Sequence, residues 1–148
     1  MTRRQKVYRL DKGEIPNLEV LTPKVRRKVM RAGVRIVALK TRTLIPDSGR
    51  SHKNKLKKSI TYGTKAYGFT GYVRSKAPHA HLVHDGVAPH VIKPVKKKVL
   101  FLGFTITRSV RHPGYRGNPF LTDAAEQTKS EMAAMMKQKM DEVLNEEL

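Results

Sequence analysis

The chain runs to 148 residues, 39% hydrophobic and 29% charged, a length and balance suited to one domain whose core needs no covalent staples. It contains no cysteine, which excludes disulfides and thiolate chemistry, and no apolar run near the roughly 18–20 residues that a membrane span requires. Lysine and arginine number 31 against 12 acidic residues, and the resulting net charge of +19 points to a polyanion or an acidic protein surface as partner.

Residues 1–6 are charged with no apolar stretch behind them, so no secretory leader is expected. Residues 1–21 are read as a basic N-terminal arm, in which Arg3, Arg4, Lys6, Arg9 and Lys12 surround a few apolar positions and Gly13 and Pro16 interrupt any regular element. Two readings stay open: an extended arm, with room for one short strand, that orders on something else, or a frayed terminus. Residues 22–148 are read as a single domain.

Thr22-Pro23 is a helix start, N-cap followed by proline at the first helical position. Val25, Val29, Ala32, Ile36 and Leu39 follow at spacings of 4, 3, 4 and 3, with Gly33, Val37 and Leu44 flanking the same face. Lys24, Arg26, Arg27, Lys28, Arg31, Arg35, Lys40 and Arg42 fill most of the rest, so the helix is amphipathic with an almost purely cationic polar face. The stretch from Ile45 through Pro46 to Gly49 stops it.

Residues 60–75 hold the strand formers Thr61, Tyr62, Tyr67, Phe69, Tyr72 and Val73, punctuated by Gly63, Gly68 and Gly71, and read as a hairpin turning near Thr64-Lys65-Ala66. A short segment from Ala77 to Gly86 and a proline-bounded connector around residues 90–94 come next. Lys96, Lys97 and Lys98 then precede residues 99–107, the most apolar run in the chain and the best candidate for a central strand. The three lysines suit either a basic patch or a gatekeeper that keeps a sticky strand soluble.

His112-Pro113-Gly114 and Gly117-Asn118 carry turn chemistry, and Asn118-Pro119 reads as N-cap and first residue of a last helix whose stripe begins at Phe120 and Leu121. Ala124, Ala125, Thr128, Met132, Met135, Met136, Met140, Val143 and Leu144 continue it, and at this spacing the methionines read as core or subunit packing before an adaptable binding surface. Charge divides along the chain. Residues 1–60 hold 18 basic and 4 acidic side chains, residues 61–118 hold 10 and 1, and residues 119–148 hold 3 and 7, so basic and acidic faces of like molecules could meet in a ring.

Catalytic patterns are sparse. His79, His81 and His84, with Asp85, form the one metal-like cluster, since H-x-H on a strand sets two imidazoles on one face. The metallo-hydrolase H-x-H-x-D-H signature differs in order: Asp85 follows the third histidine, and Val83 stands at the aspartate position. There is no G-x-S-x-G and no glycine-rich phosphate cradle, and Asp47 and Asp85 are the only carboxylates between Glu19 and Asp123. The expectation is no enzyme, no cofactor and no bound metal.

Three motifs in order carry a resemblance. Pro46-Asp47-Ser48-Gly49 leads to Leu56-Lys57-Lys58-Ser59-Ile60; His81-Leu82-Val83-His84-Asp85-Gly86 follows; then come His112-Pro113-Gly114, Asn118-Pro119-Phe120-Leu121 and Ala124-Ala125. From about residue 22 to the end the chain resembles the tail-completion or neck proteins of long-tailed bacteriophages, the gene-product-ten-like head–tail joining or minor tail family. It departs from the family pattern by a basic loop between Gly49 and Leu56, and by His84 where a glutamate is common. The resemblance implies an α+β domain in which an antiparallel sheet packs against an N-terminal and a long C-terminal helix. It implies a ring of subunits, usually a hexamer, in the virion neck after assembly in the host cytoplasm. Expected partners are the head connector or adaptor and the tail tube or tail terminator, with contact to packaged double-stranded DNA open and no membrane involved.

In that reading Pro46, Gly49, His112, Pro113, Gly114, Asn118, Pro119 and Phe120 set turns and helix entry. Lys24, Arg27, Lys28, Arg31, Arg35, Lys96, Lys97 and Lys98 are the candidate contacts to acidic neighbours or DNA. A conduit lined by such charge would grip its cargo, so much of it is expected to face partner proteins. The rival reading is a free nucleic-acid-binding protein using residues 23–43 and the Lys96–Lys98 patch, weakened by few aromatics among the basic clusters. A metalloenzyme built on His79, His81 and His84 is the third.

Overall fold

The hydroxyl of Thr22 accepts a hydrogen bond from the Val25 amide, and Pro23 opens helix α1, Pro23–Leu44. A computed structural model describes residues 7–10, 18–47, 55–95 and 98–146. Gly49, Lys96, Lys97 and most of the N-terminal arm therefore lie outside the described residues. Val7–Leu10 of that arm is strand β1, and Leu18 and Leu21, just before α1, are buried in the core.

After α1 come a short helix α2, Lys55–Ser59, and strands β2, Ile60–Lys65, and β3, Thr70–Ser75. Both strand pairs are antiparallel and the sheet order is β1-β3-β2, with Val73 opposite both Tyr8 and Tyr62. Gly71, Val73 and Ser75 alternate onto the buried face, as a period of two requires. Gly71 is small for a reason: a Cβ there would overlap the side chains of Val34 and Met30 on α1. The remaining elements are helix α3, Ala80–Asp85; strands β4, Gly86–Val87, β5, His90–Ile92, β6, Leu100–Phe101, β7, Ile106–Thr107, β8, Val110–His112, and β9, Tyr115–Arg116; and helix α4, Phe120–Glu146. The fold is α+β, with α1 and α4 packed against an antiparallel sheet.

The face that α1 buries is rotated from the expected stripe. Val25, Val29, Met30, Gly33, Val34, Val37, Ala38 and Thr41 are buried, whereas Ala32 and Ile36 are half-buried and Leu39 is exposed. The helix has two apolar lanes, and the one bearing Val34 and Ala38 wins because both the sheet and α4 press on it. Gly33 marks the closest approach of α4, since a Cβ there would sit 2.5 Å from the sulfur of Met136. Met132 and Met136 are core residues, each side chain of this kind contributing about 1.5–3 kcal/mol on burial. The buried hydroxyls are satisfied locally, Thr41 donating to the Val37 carbonyl and Thr128 to that of Ala124.

Residues 99–107 also differ from the expected central strand: β6 and β7 are two residues each, pair only with each other, and expose Phe101, Leu102, Phe104 and Ile106. The alternation of Leu100, Leu102, Phe104 and Ile106 is broken by Gly103 at φ 81°, and the Leu102 amide donates to the Thr105 carbonyl across the turn.

Candidate partner-binding surfaces

Three of the short strand pairs form a single nested limb. Gly86 pairs with Arg116, His90 with His112, and Phe101 with Ile106, so the chain from β4 to β9 goes out and back as one interrupted antiparallel hairpin. Its base is anchored by glycine. Gly86, at φ 81°, and Gly117 meet so closely that a Cβ on either would overlap backbone of the opposite segment. Further out the rings of His90 and His112 stack with centroids 5.1 Å apart, and the His112 Nδ1 accepts a hydrogen bond from the Gly114 amide. The limb exposes Val91, Ile92, Val95 and Val99 as well as its tip, where Phe101 is 73% exposed and Phe104 fully so. Its charge is all positive: no acidic residue lies between Asp85 and Asp123.

The turn that returns the limb to the body also launches α4. Asn118 donates its backbone N–H to the Val83 carbonyl of α3, and its side-chain amide reaches the Leu44 carbonyl at the end of α1. The helix begins one residue later than expected, at Phe120, with the Pro119 carbonyl accepting from the Asp123 amide. Asn118 instead ties α1, α3 and α4 at one point. Phe120 is fully buried and meets the edge of the His84 ring, centroids 5.1 Å apart and planes at 84°. His112, Pro113 and Gly114 lie together on the returning strand, near Pro89, while Pro46 stands exposed at the far end of α1. Asp47 beside it pairs with Lys57 at 2.7 Å.

A second surface lies on α1. Lys24, Arg27, Lys28, Arg31 and Arg35 are all exposed, and their helical spacing places them in one lane opposite the buried face. Sequence reasoning missed the aromatic residues that border this lane. The Arg27 guanidinium lies 5.9 Å from the Tyr67 ring and that of Arg31 lies 5.7 Å from the Tyr62 ring. Lys65 and Arg74 flank Tyr72 on the other face of the sheet, at 5.5 and 5.4 Å. Tyr67 is 69% exposed and left-handed, at φ 56°, following Ala66 at φ 48°. Two consecutive non-glycine residues in that region are strained by about 1–2 kcal/mol each. The Gly68 that follows them in sequence was the available signal for a turn there.

Arg26 shows what holds the strain. It is buried, donates from Nε to the Leu18 carbonyl and from Nη2 to the Leu21 carbonyl, and stacks over Phe69. Gly68, at φ 93°, rests on the α1 backbone at residues 26 and 27. Tyr67 is thereby held out immediately before two docked residues, Gly68 and Phe69.

The structure does not gather all the predicted cations. The α1 lane is continuous, whereas Lys98 is an exposed residue at the root of the limb tip. The histidine cluster loses its geometry. His79 precedes α3 and His81 and His84 lie in it, so the extended strand that would set His79 and His81 on one face is absent, and both are exposed while His84 is buried. His84 is buried with its Nδ1 2.8 Å from Asp85 Oδ1, and among the described residues no three histidine or carboxylate side chains could hold a metal together. No family model, curated protein or solved structure matches the chain.

Proposed function

We propose that the protein is a structural component of a phage neck, a ring-forming tail-completion or head–tail joining protein that links head connector to tail tube for DNA passage. The observation that carries this reading is the limb from Gly86 to Arg116. Aromatic and aliphatic side chains grouped at the end of an exposed hairpin are costly in water and are relieved by association. The ordered motifs from Pro46 to Ala125 support the same class of protein. Further copies of the chain are the first partners, with connector or adaptor above and tail tube or terminator below. No catalytic step belongs to this role, and the site of action is the virion, reached from the host cytoplasm.

Mass spectrometry of purified particles, together with mass photometry of the isolated protein, tests it. The protein should be found in particles and should form closed oligomers whose subunits are lost when the limb tip is made polar. A strictly monomeric protein absent from particles would overturn it.

A further inference from the structure

We infer that the exposed lane of α1, Lys24, Arg27, Lys28, Arg31 and Arg35, bordered by Tyr67, is a binding site for the phosphate backbone of duplex DNA. The lane is straight and rigid: at 1.5 Å per residue, the eleven steps from Lys24 to Arg35 span about 17 Å. Cations recur along it every three or four residues, and α1 contains no acidic residue from end to end. The nearest carboxylates in the chain, Glu19 and Asp47, come before and after the helix.

The chemistry of the lane separates it from the limb. A protein partner of ordinary kind needs a desolvated apolar centre, which the limb tip offers and α1 lacks between Lys24 and Arg35; there the intervening Val25, Val29, Met30 and Val34 are buried and Ala32 is half-buried. A surface of charge alone gains its affinity from counterion release, which a polyanion provides. Single strands would require a row of open aromatic faces. Among the described rings beside the lane only Tyr67 is exposed, Tyr62 being half-buried with the Arg31 guanidinium 5.7 Å from its ring. A duplex backbone needs no such row. It would take phosphate contacts from the five cations and a sugar or backbone contact from Tyr67, whose placement is maintained against backbone strain by the docking of Gly68 and of Arg26 on Phe69. This inference deepens the neck reading, which already takes these cations as contacts to acidic neighbours or DNA, but it is carried by α1 and not by the limb, so the two can fail separately.

The test is fluorescence anisotropy with the full chain and a labelled duplex of about 30 base pairs, from about 50 to 200 mM salt. Arg27→Ala/Arg31→Ala/Arg35→Ala should weaken binding about tenfold or more and reduce the log–log salt slope by about 2–3, near 0.9 for each lost phosphate contact. Lys58→Ala/Lys76→Ala/Lys137→Ala removes the same charge from exposed positions elsewhere and should leave affinity within about twofold. Tyr67→Ala should weaken binding about threefold with the slope unchanged, the mark of an uncharged contact. Equal losses from the two triple variants would show diffuse attraction and overturn the site. Tighter binding of a single strand of the same length, or of polyglutamate at equal charge, would overturn the assignment to duplex DNA. Oligomeric state, read on the same samples, reports separately on the limb.

Discussion

The guanidinium of Arg26 lies 3.7 Å from the centroid of the Phe69 ring while donating to the carbonyls of Leu18 and Leu21. One buried cation thus joins the segment before α1, the helix itself and the turn between β2 and β3. Replacing it with methionine keeps the apolar stem and removes three interactions, taking the Arg26 donor from the Leu21 carbonyl and leaving the Leu18 carbonyl with the Leu21 amide alone. Arg26→Met should cost about 1–3 kcal/mol in urea unfolding, the usual penalty for one buried carbonyl that loses its partner. Lysine should recover little, because it cannot fork to two carbonyls and stack at once.

The neighbouring Gly68 is constrained twice. At φ 93° an L side chain is strained, and its Cβ would sit 2.8 Å from the Arg27 nitrogen and 2.9 Å from the Arg26 carbonyl carbon. Backbone inside a helix cannot move aside as a flexible side chain can. Gly68→Ala should therefore destabilise by about 2–3 kcal/mol, combining left-handed strain with overpacking. Chemical denaturation gives the value. A neutral result would mean that the turn does not rest on α1.

Among the described residues Phe120 is the largest fully buried side chain, and it packs on His84. Phe120→Ala should cost about 3–5 kcal/mol, the usual range for deleting a buried ring, while Phe120→Leu should cost appreciably less. Thermal and urea unfolding of the two variants would check both the size and the order. A value near zero for alanine would show that the start of α4 is not docked.

Much of the framework was legible because local chemistry dictates it. Thr22-Pro23 announces α1, and the apolar periodicity after Phe120 announces α4. Gly63, Gly68 and Gly71 placed the hairpin of β2 and β3, although the turn falls at residues 66–69, slightly later than the β propensities suggest. What failed was inference from hydrophobicity to burial. Leu100 to Ile106 is apolar and alternating, yet nothing among the described residues covers Phe101, Leu102, Phe104 and Ile106, and no local pattern states whether a partner exists. The choice between the two lanes of α1 was likewise made at a distance, by Gly71 and Gly33 admitting the sheet and α4. The aromatic border of the cationic lane escaped notice because Tyr62 and Tyr67 are separated from Arg27 and Arg31 by more than thirty residues of chain, joined only by the docking of the turn on α1.

The limb makes a prediction in which stability and association separate. Phe101 and Phe104 are exposed and touch no core, so Phe101→Ser/Phe104→Ser should change unfolding free energy by no more than about 0.5 kcal/mol. The same pair should supply much of the association energy, since exposed aromatics buried in an interface are the usual hot spots.

Mass photometry of the wild type and of this double variant, with urea midpoints measured in parallel, tests the central claim most directly. The account predicts closed oligomers for the wild type and monomers for the variant, with urea midpoints that match when both are dilute enough to be monomeric. Wild-type and variant proteins with the same mass distribution would contradict it.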